Sequence, residues 1–303
     1  MSDNDQKIPR VTGLLIIEVR NSNPNGDPDR ESDPRTRAHD QRGVISDVSF
    51  KRKLRELVLQ KDGPVWHHLR TLLGIGDESF GIHVDQAARA TEADNRKASE
   101  KKKQLSEKFW DVRIFGSTSL EEKDNFIRTG VAQFGVAVSA AKVRIQRDTN
   151  TVKAGVQEGK DRGMAPLAFR VVEHGVYAMP FLINPTAAQK SGCTVDDIEL
   201  LCRLIPLAYP HNASRVRPFV EVRHAWYFEH NNQLGSCSDF AVIDALTPTK
   251  QVPTEPSSSW AEYNYDGQVK LAEFKQAFAG KFAHFGDLCD PAFVDELFPR
   301  SNG

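Results

Sequence analysis

The sequence predicts an α+β chain: a ferredoxin-like sheet with helices on one face and a long helical insertion. Three observations predict it. Apolar, β-rich runs recur at 11–20, 129–143, 168–183 and 219–229, amphipathic helical periods lie between them, and residues 85–108 lack an apolar stripe. The chain has 303 residues, 39% hydrophobic and 27% charged, so it can build a core and is not disordered as a whole.

The first run, VTGLLIIEVR, reads as a buried strand. Asn21-Ser22-Asn23-Pro24-Asn25-Gly26-Asp27-Pro28 follows, rich in turn formers, and a polar loop continues to about Gly43. A loop this long is usually functional or mobile. Ser46 reads as an N-cap with Asp47 in the first turn of a helix reaching about Gln60. Phe50, Leu54, Leu57 and Val58 form its buried face, and Lys51, Arg52, Lys53 and Arg55 ride on the rest.

Trp66, Leu69, Leu72 and Leu73 anchor a short helix, and the polar stretch after it, with Lys101-Lys102-Lys103, reads as a solvated helix. Residues 111–116 form a compact apolar and charged element, and residues 144–163 a projecting hairpin or loop. Thr194 caps a helix whose apolar face is Ile198, Leu201, Leu204 and Ile205. Residues 239–246 read as a short strand and 248–259 as a Pro/Ser-rich linker. The tail from Trp260 reads as helical, with Phe274, Phe278, Phe282 and Phe285 at helical spacing, and Asp290-Pro291 opens a last helix.

Several function classes lose their sequence support. No run approaches the roughly 18 apolar residues of a membrane span, and the polar N-terminus is not that of a secretory signal. Cys193, Cys202, Cys237 and Cys289 form no CxxC pair and read as buried, reduced thiols. HExxH, GxSxG, GxxxxGK[ST] and a strand-following GxGxxG are all absent. No cofactor or metal site is expected.

Forty Lys and Arg face 41 Asp and Glu, for a net charge of −1, which excludes a bulk polycation. The distribution is uneven. Residues 142–170 hold seven bases and three acids, net +4, and residues 253–303 hold four bases and eight acids, net −4. Opposite charges on different surfaces suit self-association into a line, as well as a groove for phosphates. Lys51 and Arg55 are one helical turn apart and flank Arg52 and Lys53. The cluster fits either a solvated face or a phosphate contact.

Asn23-Pro24-Asn25-Gly26-Asp27-Pro28, then Ile45-Ser46-Asp47-Val48 and Lys51-Arg52-Lys53-Leu54-Arg55, resembles the repeated backbone subunit of type I CRISPR Cascade complexes, nearest to the type I-C branch. Asp111-Val112-Arg113-Ile114-Phe115-Gly116, Gly130-Val131-Ala132-Gln133-Phe134, and His174-Gly175-Val176-Tyr177 running into Pro180-Phe181-Leu182-Ile183-Asn184 agree in order. The stretch Arg30-Glu31-Ser32-Asp33-Pro34-Arg35 departs from the family pattern.

The resemblance implies a modified RRM-like palm over 1–61 and 126–247, a helical fingers insertion over 62–125, a β-hairpin thumb at about 142–165, and a linker with a helical tail over 248–303. It implies a non-catalytic, cytoplasmic subunit that polymerises along CRISPR RNA, beside other Cascade subunits. Target DNA is then read through the guide and a helicase-nuclease is recruited. Phosphate contacts fall to Lys51, Arg52, Lys53 and Arg55, with Arg20, Arg113, Arg144 and Arg147 behind them. Asn23, Asn25 and Gln133 either hydrogen-bond the RNA or serve only as turn and strand-edge residues. Val152, Val156 and Met164 either wedge between bases or pack on a neighbouring copy. Two other readings stand. One is an endoribonuclease of the same superfamily, using Asp27, Asp29, Asp33, Asp40 and His39 around Mg²⁺. The other is a monomeric RRM-like RNA-binding protein.

Overall fold

The computed structural model describes residues 7–83, 105–119, 126–153 and 164–300. Much of the solvated stretch 85–108, with Lys101 to Lys103, lies outside them. So do residues 154–163.

The first apolar run becomes β1 (Val11–Ser22), the hub of an antiparallel sheet. Its partners are β10 (Met164–Ile183) on one side and β11 (Phe219–His230) on the other. The sheet continues from β10 to β8 (Ala137–Lys142) and β4 (Arg42–Ile45), and from β11 to the edge strand β12 (Phe282–Asp287). At its C-terminal end β10 also holds β7 (Ala132–Phe134), and at its N-terminal end β9 (Ile145–Lys153). The fold is α+β, as expected.

Leu14 to Ile17 of β1 are apolar without interruption because both faces of the strand are covered there. Val11, Leu15, Ile17 and Val19 face one core with helix α1 (Asp47–Leu59), α2 (Pro64–Leu73) and, further along the chain, α5 (Val195–Leu204). Leu14 and Ile16 face a second core made by Trp226, Phe228, Val242, Leu246, Tyr263, Tyr265 and Phe274. The expectation of helices on one face therefore needs correcting. Residues 239–285 fold back as the second layer, while Leu288 and Val294 of the tail join the first core.

Local chemistry sets the elements. Ser46 accepts from the Ser49 amide and starts α1, with Phe50, Leu54, Leu57 and Val58 buried. A short helix, α3 (Trp110–Phe115), ends at Gly116, where φ is +87° and a Cβ would sit 2.2 Å from the Arg128 carbonyl oxygen. That turn sends the chain into the pair β5 (Gly116–Ser119) and β6 (Phe126–Thr129). Helix α4 (Pro185–Ser191) precedes α5, whose capping box joins Thr194 and Asp197.

Three elements differ from the sequence reading. Residues 239–246 form a helix, α6 (Asp239–Leu246), not a strand: Ser238 caps it, and Val242 and Leu246 are buried one turn apart. A short apolar run fits either period, and tertiary packing decided. The phenylalanine ladder is split. Phe274 lies on α7 (Gly267–Ala277), Phe278 caps its C-terminus, and Phe282 and Phe285 lie on β12. Gly280, at φ +70°, stands between the two elements. The run 129–143 is broken at Gly130 and Gly135 into the end of β6, β7 and β8. A last helix, α8 (Pro291–Leu297), is capped by Asp290 as the Asp-Pro pair implies.

All four cysteines are free, with Cys202 fully buried and the others half-buried. Among the described residues, no helix is long and apolar enough to cross a membrane.

Candidate nucleic-acid interface

The Asn-rich loop and the first helix are one structural unit. Asn25 Oδ1 accepts from the Ser46 amide at 2.8 Å, so the loop helps position the start of α1. Asn23 Nδ2 donates to the Ser32 carbonyl at 2.8 Å, while its Oδ1 is buried without a partner among the described residues. The loop folds on itself as β2 (Gly26–Asp27) paired with β3 (Asp33–Pro34).

The basic run on α1 has unequal fates. Lys51 reaches back to Asp47 at 3.0 Å. Lys53 is nearly buried and donates to Glu56 at 2.8 Å. Arg55 donates to the buried Asp111 at 3.0 Å and lies over the Phe115 ring at 4.9 Å. Arg52 also touches Glu56, but its side chain is 76% exposed. Spacing on a helix shows which residues share a face. It does not show which charges are already matched inside the fold.

Arg113 is buried and makes two hydrogen bonds, of 2.8 and 2.7 Å, to the Asp197 carboxylate. Arg20 is 58% exposed and donates to Glu18 at 2.7 Å. Arg144 pairs with Glu173 and Arg147 with Asp33, both near the surface. Gln133 Nε2 donates to the Gly130 carbonyl at 3.0 Å. Val152 lies opposite Ala165, and Met164 opposite Lys153, on the β9–β10 ladder. The side chains of Val152 and Met164, and all of Val156, lie outside the described residues.

The carboxylates of Asp27, Asp33 and Asp40 in the long loop are matched by arginines, although Asp27 and Asp33 are cross-strand partners. Asp27 faces Arg35, Asp33 faces Arg147 and Arg170, and Asp40 faces Arg37. The Arg147 hydrogen bond lowers the Asp33 pKa, and that of Arg37 holds Asp40 at about 2. Among the described residues no three metal-ligating side chains gather.

Glu18 sits buried in β1. Burial alone would raise its pKa, but hydrogen bonds from His174 and Arg20 outweigh that and hold it at about 2. His174 continues to Ser257 at 2.7 Å, and Ser257 to Tyr263 at 2.7 Å.

One segment escaped the sequence reading. Residues 211–219, HNASRVRPF, pack on the Asn-rich loop: the Asn23 amide donates to the Val216 carbonyl at 2.7 Å, and Arg217 Nε donates to the Asn23 carbonyl at 2.9 Å. Asn212 tethers the same segment to the Lys53 carbonyl at 3.1 Å. Two arginines beside an aromatic residue were the available signal.

Comparison with known proteins fits this architecture. The solved chain from a "CRISPR RNA-guided surveillance complex, pre-nicking" superposes with a TM-score of 0.54 at 14% identity, covering 95% of this chain and 98% of that one. A CRISPR-associated protein Cas7 from Haloferax volcanii is 25% identical over 210 residues. The match covers 62% of this chain and 60% of that relative's length. The family model for CRISPR-associated protein Cas7 matches residues 9–268, most of the chain, and the protein belongs to that family.

Proposed function

We propose that the protein is a backbone subunit of a CRISPR RNA-guided surveillance complex, of the type I-C branch, that holds guide RNA through its phosphates. The match of the Cas7 family model across residues 9–268 carries this reading. In it, copies stack along the guide beside other Cascade subunits, and target DNA is read by pairing with the guide. A helicase-nuclease recruited later cuts the DNA. The subunit itself does no chemistry.

In this reading the sheet and its helices are the palm, residues 62–125 the fingers, and the β9–β10 hairpin at about 142–165 the thumb. Val152, Val156 and Met164 are, in this reading, the thumb residues that wedge between bases. Arg52 is the leading phosphate contact on α1, because its guanidinium stands in solvent. Arg20, Arg144 and Arg147 support it from the surface, and the carboxylate partners of Arg144 and Arg147 are exchangeable for phosphate. Lys51, Lys53, Arg55 and Arg113 shape the site electrostatically and hold α1 and α3 in place.

The test is the salt dependence of RNA binding by the full chain. Each phosphate contact on a single strand contributes a slope of about −0.7 in log K against log salt. Arg52→Ala is expected to weaken binding and flatten the slope by about that amount. An unchanged slope removes Arg52 from the interface.

A further inference from the structure

We propose that the 213–219 segment, with Arg20 and Arg223, forms a second contact for single-stranded RNA, in which Phe219 stacks on an unpaired base. This rests on the reading of the protein as an RNA-binding subunit and adds a surface that the first helix does not supply.

Phe219 opens β11 and is 65% exposed. It is fixed there: its amide donates to Ser22 Oγ at 2.9 Å, and it lies directly opposite Arg20 on β1. Cross-strand partners point to the same face, so the ring and the Arg20 guanidinium share a surface.

A β-bulge adds the next member. His224 pairs with Ile16 and Val222 with Ile17, which leaves Arg223 as the extra residue of β11. A bulge re-aims a side chain. Here Arg223 turns toward Glu18 at 3.6 Å and lies over the Trp260 ring at 5.1 Å. The buried Glu18 carboxylate thus anchors Arg20 and Arg223 from beneath. Arg215, at the tip of the tight turn closed by Ser214 and Arg217, is exposed and makes no ion pair or hydrogen bond among the described residues.

The patch thus holds four guanidiniums, those of Arg20, Arg215, Arg217 and Arg223, against two carboxylates, those of Glu18 and the exposed Glu221. Positive charge beside an exposed aromatic ring is the chemistry that holds single strands without reading sequence. The track also has an end. Arg223 opens onto a cavity of about 820 Å³ in which the carboxylates of Asp266, Asp287, Asp290 and Glu296 outnumber Arg223 and Lys275, so phosphate meets net negative charge there.

The experiment is fluorescence anisotropy of labelled oligouridine with the full-length protein across a salt series, with oligodeoxythymidine as a second arm. Phe219→Ala is expected to weaken RNA binding about tenfold with the salt slope unchanged, and Phe219→Trp to retain it. Arg215→Ala is expected to flatten the slope by about 0.7. Both positions are exposed, and thermal melting of each variant confirms that the fold is intact. The inference is overturned if both alanine variants bind RNA as the wild type does while Arg52→Ala weakens it. In that case the RNA-binding reading stands and only this surface is lost. A loss confined to the DNA arm also overturns it. If the wild type binds no RNA, the underlying reading fails first.

Discussion

Arg113 and Asp197 form a buried, two-pronged ion pair that ties α3 to the N-terminus of α5, where the same carboxylate also accepts from the Thr194 amide. One acid thereby serves a capping box and an arginine at once. Removing one partner of such a pair leaves a charge buried and unmatched, at a cost of about 3 to 5 kcal/mol. Arg113→Ala is therefore expected to lower the urea midpoint sharply at unchanged m-value, while the salt slope of RNA binding by the folded protein stays the same. A flattened slope with intact stability would return Arg113 to the RNA surface.

Glu18 gives the protein an acid-sensitive element. Its carboxyl is held at about 2 against an ordinary value of 4.5, so the unfolded chain takes up this proton before the folded one. Its stabilisation is present above about pH 4.5 and is lost as the pH falls through the folded value near 2. The stability difference between wild type and Glu18→Gln is expected to be flat at neutral pH and to shrink across that window. A difference constant down to the acid limit would show that the carboxylate is not the source.

The loop carboxylates predict inactivity as a nuclease. Asp33 and Asp40 are each matched by arginine, and among the described residues no three metal-ligating side chains gather. Assembled protein incubated with matched target RNA and Mg²⁺ is expected to leave the RNA intact. Regularly spaced cleavage that disappears in Asp33→Asn would establish the opposite.

Much of the fold was legible in the sequence because several signals agreed locally. β1, α1 with its Ser46 cap, α5 with Thr194, and the Asp290-Pro291 start each carried both a period and a punctuating residue. Residues 239–246 misled because eight residues with buried positions one turn apart also fit a short strand, and Arg10 binding Asp239 at 2.5 Å is a contact across 229 positions. The phenylalanine ladder misled for a related reason: residues four apart kept the helical spacing across a chain reversal. The interface was legible as residue types only. Lys53, Arg55 and Arg52 look alike in sequence, and only the fold shows that Lys53 and Arg55 are largely buried with Glu56 and Asp111 while Arg52, though bonded to Glu56, stands mostly in solvent.

The central claim is that copies of this chain assemble along RNA. Size-exclusion chromatography with light scattering, on the purified protein alone and with single-stranded RNAs of increasing length, tests it most directly. The account predicts RNA-dependent oligomers whose mass rises in steps of one 33.9 kDa subunit as the RNA lengthens. A single one-to-one complex at every RNA length would contradict it.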